Sequence, residues 1–401
     1  MIRQLGSAAL AVFIAGGLLS GTLGLNSLAG VVATRERAKP TPSAPAQSAV
    51  GSSSAPVVDA PVATTAPPPT RVAPTAVAAT PQPLSAPNSA WLFVIDGNLW
   101  EINGGAPFQL TDGGSLGQAA LGDDALVFVE RSRNASDLWL ASSQGPPRPI
   151  TRNVSSSASL SHWTSQPVLL PDRQRLYALA DLNKASTGEG DLAVWELSFG
   201  QIAPVQITSP PAYGGGDQDV TVSPEDPRQI IFTRYAYDGE QLVEQLQWLD
   251  VSTRYPVALT PPDQAARQAS YSPDATEIAF VARGSGSQED LYVADLQVSN
   301  GRAELDEPRQ VVSGVIANPV WTPDGNSLGY LALTANGFQL WSVDIRRSAD
   351  GTESFGDPRQ ITSGASLDAT SKPVPVSRDQ ADQVRQWLAP RSPWRATGGG
   401  G

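Results

Sequence analysis

Short stretches of alternating apolar and polar residues fill the chain from Trp91 onward, separated by turns rich in Gly, Pro, Asp and Ser. A period of two residues is typical of β-strands that bury one face. The clearest phrase joins two such stretches through a Pro-Asp turn. It reads ASYSPDATEIAFVA at 269–282 and PVWTPDGNSLGYLA at 319–332. Proline presets φ and aspartate bonds its own backbone, so each phrase predicts strand, tight turn, strand.

The phrase is one part of a longer repeat. Related versions occur at 119–130, 167–180 and 221–234. A third stretch follows with an aromatic residue in register, and these residues are Trp100, Trp139, Trp195, Trp248, Tyr292 and Trp341. A short fourth stretch ends each unit, and the unit ends recur at intervals of about 40–57 residues, close to the period of four-stranded propeller blades. The pattern therefore predicts an all-β fold, a β-propeller.

Counting the units predicts how the ring closes. Third and fourth stretches occur six times, but the unit at 91–111 lacks its leading strand. The one unassigned strand-like segment is 368–377, and we predict that it enters the first blade. A six-bladed ring of four-stranded antiparallel blades would result, without open sheet edges. The aromatic residues of the third strands are expected to pack between blades. A ladder that stacks a ligand is the alternative interpretation.

These residues also carry a resemblance to a known family. YSPDATEIAF and WTPDGNSLGY are followed by DLYVADL and QLWSVDI, and then by PRQVVSG and PRQITSG. Together they resemble the W-S-P-D-G-x-x-I-A-F repeats of the TolB-like, WD-repeat-like propellers. The resemblance covers about residues 91–377 and implies a six-bladed β-propeller.

The chain before the propeller has a different composition. Residues 5–33 carry no charge, and a bilayer core of about 30 Å needs roughly 20 helical residues. We expect a hydrophobic helix within 1–34 that anchors the chain in a membrane, with a signal peptide cleaved near 31–33 as the alternative. Residues 35–88 are rich in Pro, Ala, Ser and Thr and predict a disordered linker.

The resulting domain organisation places the propeller at 89–378 and a C-terminal tail at 379–401. The tail is expected to form one short helix up to Leu388, from which Trp387 and Trp394 dock back on the propeller. The linker favours a propeller held outside the cytoplasm and tethered to the membrane. If the N-terminal segment were cleaved as a signal peptide, the protein would instead be secreted.

Composition excludes several kinds of function. The formal charge is −12 and the propeller has no cluster of Lys and Arg, which argues against a nucleic-acid partner. One His and no Cys exclude the usual zinc ligand sets. The string GGSLG at 113–117 matches G-x-S-x-G, but no helix pattern follows it, and the lone His162 has no obvious acid to orient it. We therefore expect no catalytic residue, no metal and no cofactor.

The candidate binding residues come from the propeller loops. Loops from each fourth strand to the next first strand gather around the channel, and loops between second and third strands flank them. Aromatic residues in such loops are enriched at interfaces. The candidates are His162, Trp163, Tyr213, Asp217, Gln218, Arg234, Tyr235, Tyr237 and Arg267.

The sequence thus favours a monomeric, non-catalytic propeller that binds a protein or an envelope polysaccharide through these loops. Two alternatives stay open. A propeller hydrolase or lyase would use acidic channel residues such as Asp217 and Asp219. A structural spacer would bind no partner at all.

Replacing Trp163 or Tyr213 by alanine should weaken capture of the partner without lowering the melting temperature, because loop side chains on a binding face add little to the core. Thermal unfolding and partner capture measured on the same variants test this expectation. A parallel loss of thermal stability would instead place both side chains in the core.

Overall fold

The computed structural model describes residues 89–104, 106–172, 174–184, 191–200, 202–212, 214–284, 288–348 and 353–389. The expected anchor at 1–34 and the linker at 35–88 lie outside these ranges, as do Tyr213 and Trp394. In the part of the chain that is described, no helix is long and apolar enough to cross a membrane.

The described strands form six antiparallel sheets, each of them one blade. Blade 1 contains β1 (Ser89–Ile95), β2 (Asn98–Ile102) and β3 (Phe108–Gln109). Blade 2 contains β4 (Leu116–Leu121), β5 (Ala125–Arg131), β6 (Ser136–Ser142) and β7 (Gly145–Pro149). Blade 3 contains β8 (Thr164–Leu169), β9 (Arg175–Ala180), β10 (Ala193–Ser198) and β11 (Val205–Gln206).

The second half of the ring has longer strands. Blade 4 contains β12 (Gly216–Val222), β13 (Gln229–Asp238), β14 (Gln241–Asp250) and β15 (Val257–Ala258). Blade 5 contains β16 (Arg267–Tyr271), β17 (Glu277–Arg283), β18 (Glu289–Ser299), β19 (Arg302–Leu305) and β20 (Arg309–Val312). Blade 6 contains β21 (Ile316–Trp321), β22 (Ser327–Thr334), β23 (Gly337–Arg347), β24 (Glu353–Phe355) and β25 (Arg359–Gln360). Strand β26 (Val374–Ser377) follows.

Strand β26 closes the ring. It pairs antiparallel with β1, with Ser89 opposite Ser377 and Leu92 opposite Val374, and so becomes the innermost strand of blade 1. The predicted six blades, their antiparallel strands and this closure are confirmed. Blades 1 to 4 have four strands each, as predicted, whereas blades 5 and 6 have a fifth strand. In these two blades the long third strands β18 and β23 extend beyond the inner sheet and pair with β19 and β24.

The ring has two faces. Strands alternate in direction within a blade, so the loops from second to third strands and from each fourth strand to the next blade emerge on one side. We call this side the upper face and the opposite side the lower face. The Pro-Asp turns between first and second strands, such as 322–326, lie on the lower face.

The hydrophobic cores lie between neighbouring blades. Trp248 of blade 4 is buried beside Tyr271 and Phe280 of blade 5, and Trp195 is buried between blades 2 and 3. The other aromatic residues of the third strands are half-buried and pack against the same interblade cores; they are Trp100, Trp139, Tyr292 and Trp341. Packing between blades is therefore their role.

Blades 1 and 6 meet through one tryptophan. The indole of Trp91 on β1 is fully buried and lies over Gly329 on β22. A Cβ atom at position 329 would stand 2.2 Å from the indole Cη2 atom. Glycine at this position therefore makes room for the residue that fills the closing interface.

A C-terminal helix, α1 (Arg378–Trp387), seals the lower face beside blade 1. Ser377 caps it, because the Ser377 side chain accepts from Gln380 N and the Gln380 side chain accepts from Ser377 N. Ala381, Val384 and Trp387 are buried against the core shared by blades 1 and 2. The helix that the sequence predicted is therefore present, with Trp387 docked as expected.

One ion pair fixes the outer side of this helix. Arg385 donates from Nε and Nη2 to the two carboxylate oxygens of Glu101, each at 2.7 Å, and its guanidinium lies over the ring of Phe108. The Glu101 side chain is buried. Both ends of the propeller chain are therefore held in one blade, by β-sheet pairing and by a charged contact.

Replacing Trp91 by alanine should lower the free energy of unfolding by about 3–5 kcal/mol, because it empties the interface at which the ring closes. Urea unfolding measures this loss. Tyr255→Ala is the matched control, since Tyr255 is 80% exposed in a lower-face loop and its loss should change stability by less than about 0.5 kcal/mol. Equal, small effects of the two substitutions would contradict the closing role of Trp91.

Candidate functional site

Asp217 and Arg234 form a buried ion pair beneath the upper face. They lie opposite each other on β12 and β13. Arg234 Nε is 2.7 Å from Asp217 Oδ1, and Nη2 is 2.9 Å from Oδ2. Burial raises the pKa of Asp217, and the guanidinium of Arg234 opposes this rise. The two side chains bind each other and leave no free charge for a ligand.

Arg267 is held in the same way between two acids. Its guanidinium pairs with Glu244 at 3.3 Å, on blade 4, and with Glu289, on its own blade. Burial would lower the pKa of Arg267, but Glu289 and Glu244 together raise it above its ordinary value. Tyr235 is buried close by, and its pKa is raised by burial first and then by the charge of Glu244. This cluster joins blades 4 and 5.

His162 and Trp163 surround one buried carboxylate. Asp181 Oδ1 lies 3.4 Å from His162 Nδ1 and accepts a 2.7 Å hydrogen bond from the backbone of Trp163. Lys184 Nζ is 2.7 Å from the other carboxylate oxygen. The rings of His162 and Trp163 are half-buried.

Ser115 does not occupy a nucleophile elbow. Strand β4 begins at the next residue, Leu116, where that motif requires a helix. His162 faces Asp181 instead, and within the described ranges no hydrogen bond joins His162 to Ser115. The G-x-S-x-G string therefore lies in a turn between blades.

Tyr237 is the candidate that reaches solvent. Strands β13 and β14 each have ten residues, and the last pair between β12 and β13 joins Gly216 to Tyr235. The hairpin beyond this pair projects above the sheet, with Tyr237 near its tip. Gln218 is half-buried beside the channel, and Tyr213 lies outside the described residues.

The other large apolar side chains that are exposed on the upper face are aliphatic. Together with Tyr237 they form what we call the upper rim, whose members are between 42% and 65% exposed: Val154, Leu160, Tyr237, Val315 and Leu333. Val315 and Leu333 are neighbours, since Leu333 N donates to Val315 O at 3.0 Å. Sequence reasoning missed the four aliphatic members, because it gave weight only to aromatic and charged loop residues.

A ring of polar side chains lines the channel below this rim. In blades 2 to 6 the inner strand contributes one member, and in blade 1 the member lies two residues before β26. The members of this channel ring are Gln118, Gln166, Asp219, Gln268, Asn318 and Lys372. The sequence carries a signal for it, since a polar residue stands three positions before the first-strand aromatics Tyr271 and Trp321.

Hydrogen bonds join successive members of the channel ring. Gln166 N donates to Gln118 Oε1 at 2.7 Å, Asp219 N donates to Gln166 Oε1, and Asn318 N donates to Gln268 Oε1 at 2.9 Å. The inner strands of blades 2 to 6 have a bulge here, and four of the members have φ between 48° and 56°. The bulge frees a backbone N–H from its own sheet, and the neighbouring blade supplies the acceptor.

Thr233 bridges Asp219 and Gln268, two successive members that no direct hydrogen bond joins. Gln268 N donates to Thr233 Oγ1 at 3.0 Å, and Thr233 Oγ1 donates to Asp219 Oδ2 at 3.1 Å. Burial raises the pKa of Asp219, and the charge of Lys372 is the strongest influence against that rise. Gln118 Nε2 extends the network to Thr370 O, next to the closing strand.

Comparison with known proteins rests on structure alone. No protein-family model and no curated protein matches the sequence. A TolB protein from Agrobacterium tumefaciens aligns at 15% identity over 73% of this chain and 97% of its own length, with a TM-score of 0.50. This chain has the fold of a TolB-like six-bladed propeller.

Two further solved structures align less closely. TolB from Acinetobacter baumannii has 17% identity, a TM-score of 0.49, and coverage of 72% of this chain and 66% of its own length. A puromycin-hydrolysing peptidase from Mycobacterium tuberculosis has 14% identity, a TM-score of 0.43, and coverage of 62% and 38%. The TolB-like propeller thus spans about two thirds of the Acinetobacter protein. At these identities the likeness is one of fold.

Replacing Gln118 by methionine should lower the free energy of unfolding by about 1–3 kcal/mol for each polar group left unpaired. The substitution removes the acceptor of Gln166 N and the donor to Thr370 O. Urea unfolding measures the change, and Gln109→Met, on the exposed outer strand β3, is the control. Equal effects at the two positions would show that the channel ring does not stabilise the fold.

Proposed function

We propose that this TolB-like propeller is a non-catalytic module that binds a protein partner through its upper rim. The observation that carries the proposal is the set of large apolar side chains exposed in loops and strand ends of the upper face. Five of the ten large apolar side chains exposed in the described residues lie at this face, whereas Ile202 and Tyr255 are exposed on the lower face. Adjacent exposed apolar groups, such as Val315 and Leu333, are typical of protein interaction sites. An apolar surface favours a protein over a polysaccharide, which binds mainly through hydroxyl groups.

The charged groups of the same face support a binding role over a catalytic one. Asp217 is engaged by Arg234, and Arg267 by Glu244 and Glu289. Asp219 accepts from Gln166 and Thr233. A hydrolase or lyase that used Asp217 and Asp219 would first have to release them from these partners. In the described ranges, no three His, Asp or Glu side chains are grouped to hold a metal ion.

The proposal includes a tether to a membrane and a position outside the cytoplasm. Its support is the uncharged stretch at 5–33 and the Pro-rich linker at 35–88. Strand β1 starts at Ser89 on the lower face. A tether that continues into Ser89 would therefore leave the upper rim free for a partner.

Site-specific photo-crosslinking in the native cells tests the proposal on the full chain. A photoreactive amino acid at position 237 or 333 should give a discrete protein adduct, because both side chains are exposed on the upper rim. The same amino acid at position 255, exposed on the lower face, is the matched control and should give none. In addition, Leu333→Asp should reduce the adduct formed at position 237 by roughly tenfold or more, an effect of about 1.4 kcal/mol on binding, with no change in melting temperature.

Each other outcome identifies an alternative. An adduct that contains sugar and no protein would point to an envelope polysaccharide. The absence of any adduct at 237 and 333 would indicate a spacer. Equal adducts at all three positions would contradict a binding site on the upper face.

A further inference from the structure

Lys372 is the one member of the channel ring whose side chain cannot accept a hydrogen bond. The other five members carry a side-chain oxygen, and an oxygen can accept the N–H group of the neighbouring blade. An ammonium group has three donors and no acceptor. Lys372 therefore cannot accept a backbone N–H group of blade 2. The side chain of Gln118, on that blade, donates to Thr370 O instead. A glutamine would serve the architecture better at this position.

The charge of Lys372 has little compensation. Its Nζ atom donates to the backbone oxygen of Ala269 at 3.2 Å, and no carboxylate of the described residues lies within 4.0 Å. Asp219 acts on it from farther away, and both Asp219 oxygens already accept from Gln166 and Thr233. A cation held in a protein interior without a close counter-charge is unfavourable. An anionic ligand would remove that cost.

The position of Lys372 suits a ligand in the channel. Lys372 precedes the inner strand of blade 1. Its side chain passes the neighbouring blade 6 and reaches Ala269 on blade 5. It therefore extends over the bore of the channel. The residue as a whole is intermediate in exposure and is not fully enclosed.

A second donor lies beside it. Gln268 directly precedes Ala269, and its Oε1 atom accepts from Asn318 N. Its Nε2 atom has no acceptor among the described residues, and the residue is half-buried in the channel. The ammonium of Lys372 has two N–H groups left after its bond to Ala269 O. Because Lys372 Nζ bonds Ala269 O, directly next to Gln268, these unused donors belong to neighbouring groups and match the two oxygens of a carboxylate.

We propose that Lys372 and Gln268 form a carboxylate-binding site within the channel. The ligand is either a small free carboxylic acid or the carboxylate of a peptide that enters from the upper face. This site lies below the upper rim and does not depend on a protein partner there. Burial lowers the pKa of Lys372. A bound carboxylate would stabilise the protonated amine, so binding should weaken as pH rises through that lowered pKa.

Calorimetric titration of the full chain in detergent tests the site with three probes: succinate, tetraglycine with a free C-terminal carboxylate, and tetraglycine amide. The wild-type protein should bind at least one free carboxylate and should not bind the amide. Lys372→Gln should weaken that binding by tenfold or more. Arg133→Gln, which removes an exposed cation of the upper face, is the matched control and should retain binding.

The pattern of binding distinguishes the two sources of carboxylate. Saturable binding of succinate would indicate a small acid, and binding of tetraglycine alone would indicate a peptide end. Binding of neither free carboxylate, or equal binding by Lys372→Gln and the wild type, would overturn the proposal. A rim that captures no partner would leave these results unaffected, so the two proposals fail separately.

The melting temperatures of the variants show whether a loss of binding comes from misfolding. Lys372→Gln supplies the missing acceptor of the channel ring and should melt at the wild-type temperature or above. Lys372→Met, which keeps the length and removes the charge, should lose carboxylate binding in the same way. If both variants melted well below the wild type, Lys372 would be a structural member of the ring, and the proposal would be wrong.

Discussion

The hydrogen bond from a side-chain oxygen on one inner strand to a backbone N–H on the next is the contact on which this ring depends. The inner strands of blades 2 to 6 bulge at the channel, and the bulge separates an N–H group from its own sheet. A buried N–H without an acceptor is costly. Gln118, Gln166 and Gln268 supply that acceptor across the blade boundary. The same bonds fix the register of neighbouring inner strands and hence the bore of the channel.

Closure adds a second constraint, because the two ends of the propeller chain must meet in one sheet. Pairing of β26 with β1 brings them together, and the interfaces on both sides of blade 1 are then filled. Trp91 fills the side toward blade 6, where Gly329 makes room for it. Helix α1 fills the lower side toward blade 2, held by Arg385 on Glu101.

The chemistry of the upper face follows from how its charges are used. Asp217 and Arg267 pair with opposite charges on a neighbouring strand or blade, and Asp181 pairs with Lys184 three residues along the chain. The groups that our proposals use are the exposed apolar side chains of the upper rim and, deeper in the channel, Lys372. The first feature suits a protein surface and the second suits an anion. One propeller can therefore offer two different kinds of recognition at two depths.

The sequence alone determined the repeat, the six blades and the closing segment, because alternation, the Pro-Asp turn and the count of third strands are local features of the chain. It also indicated that the six aromatic residues are core, since their placement is the same in every unit. Only the tertiary structure decided which loop residues are free. In the sequence, Asp217 and Tyr237 are both candidates for a binding face. In the structure, Asp217 is buried and paired with Arg234, whereas Tyr237 is exposed near the tip of a long hairpin. The channel ring escaped notice for the same physical reason, because its bonds join residues about fifty positions apart that meet only when neighbouring blades pack.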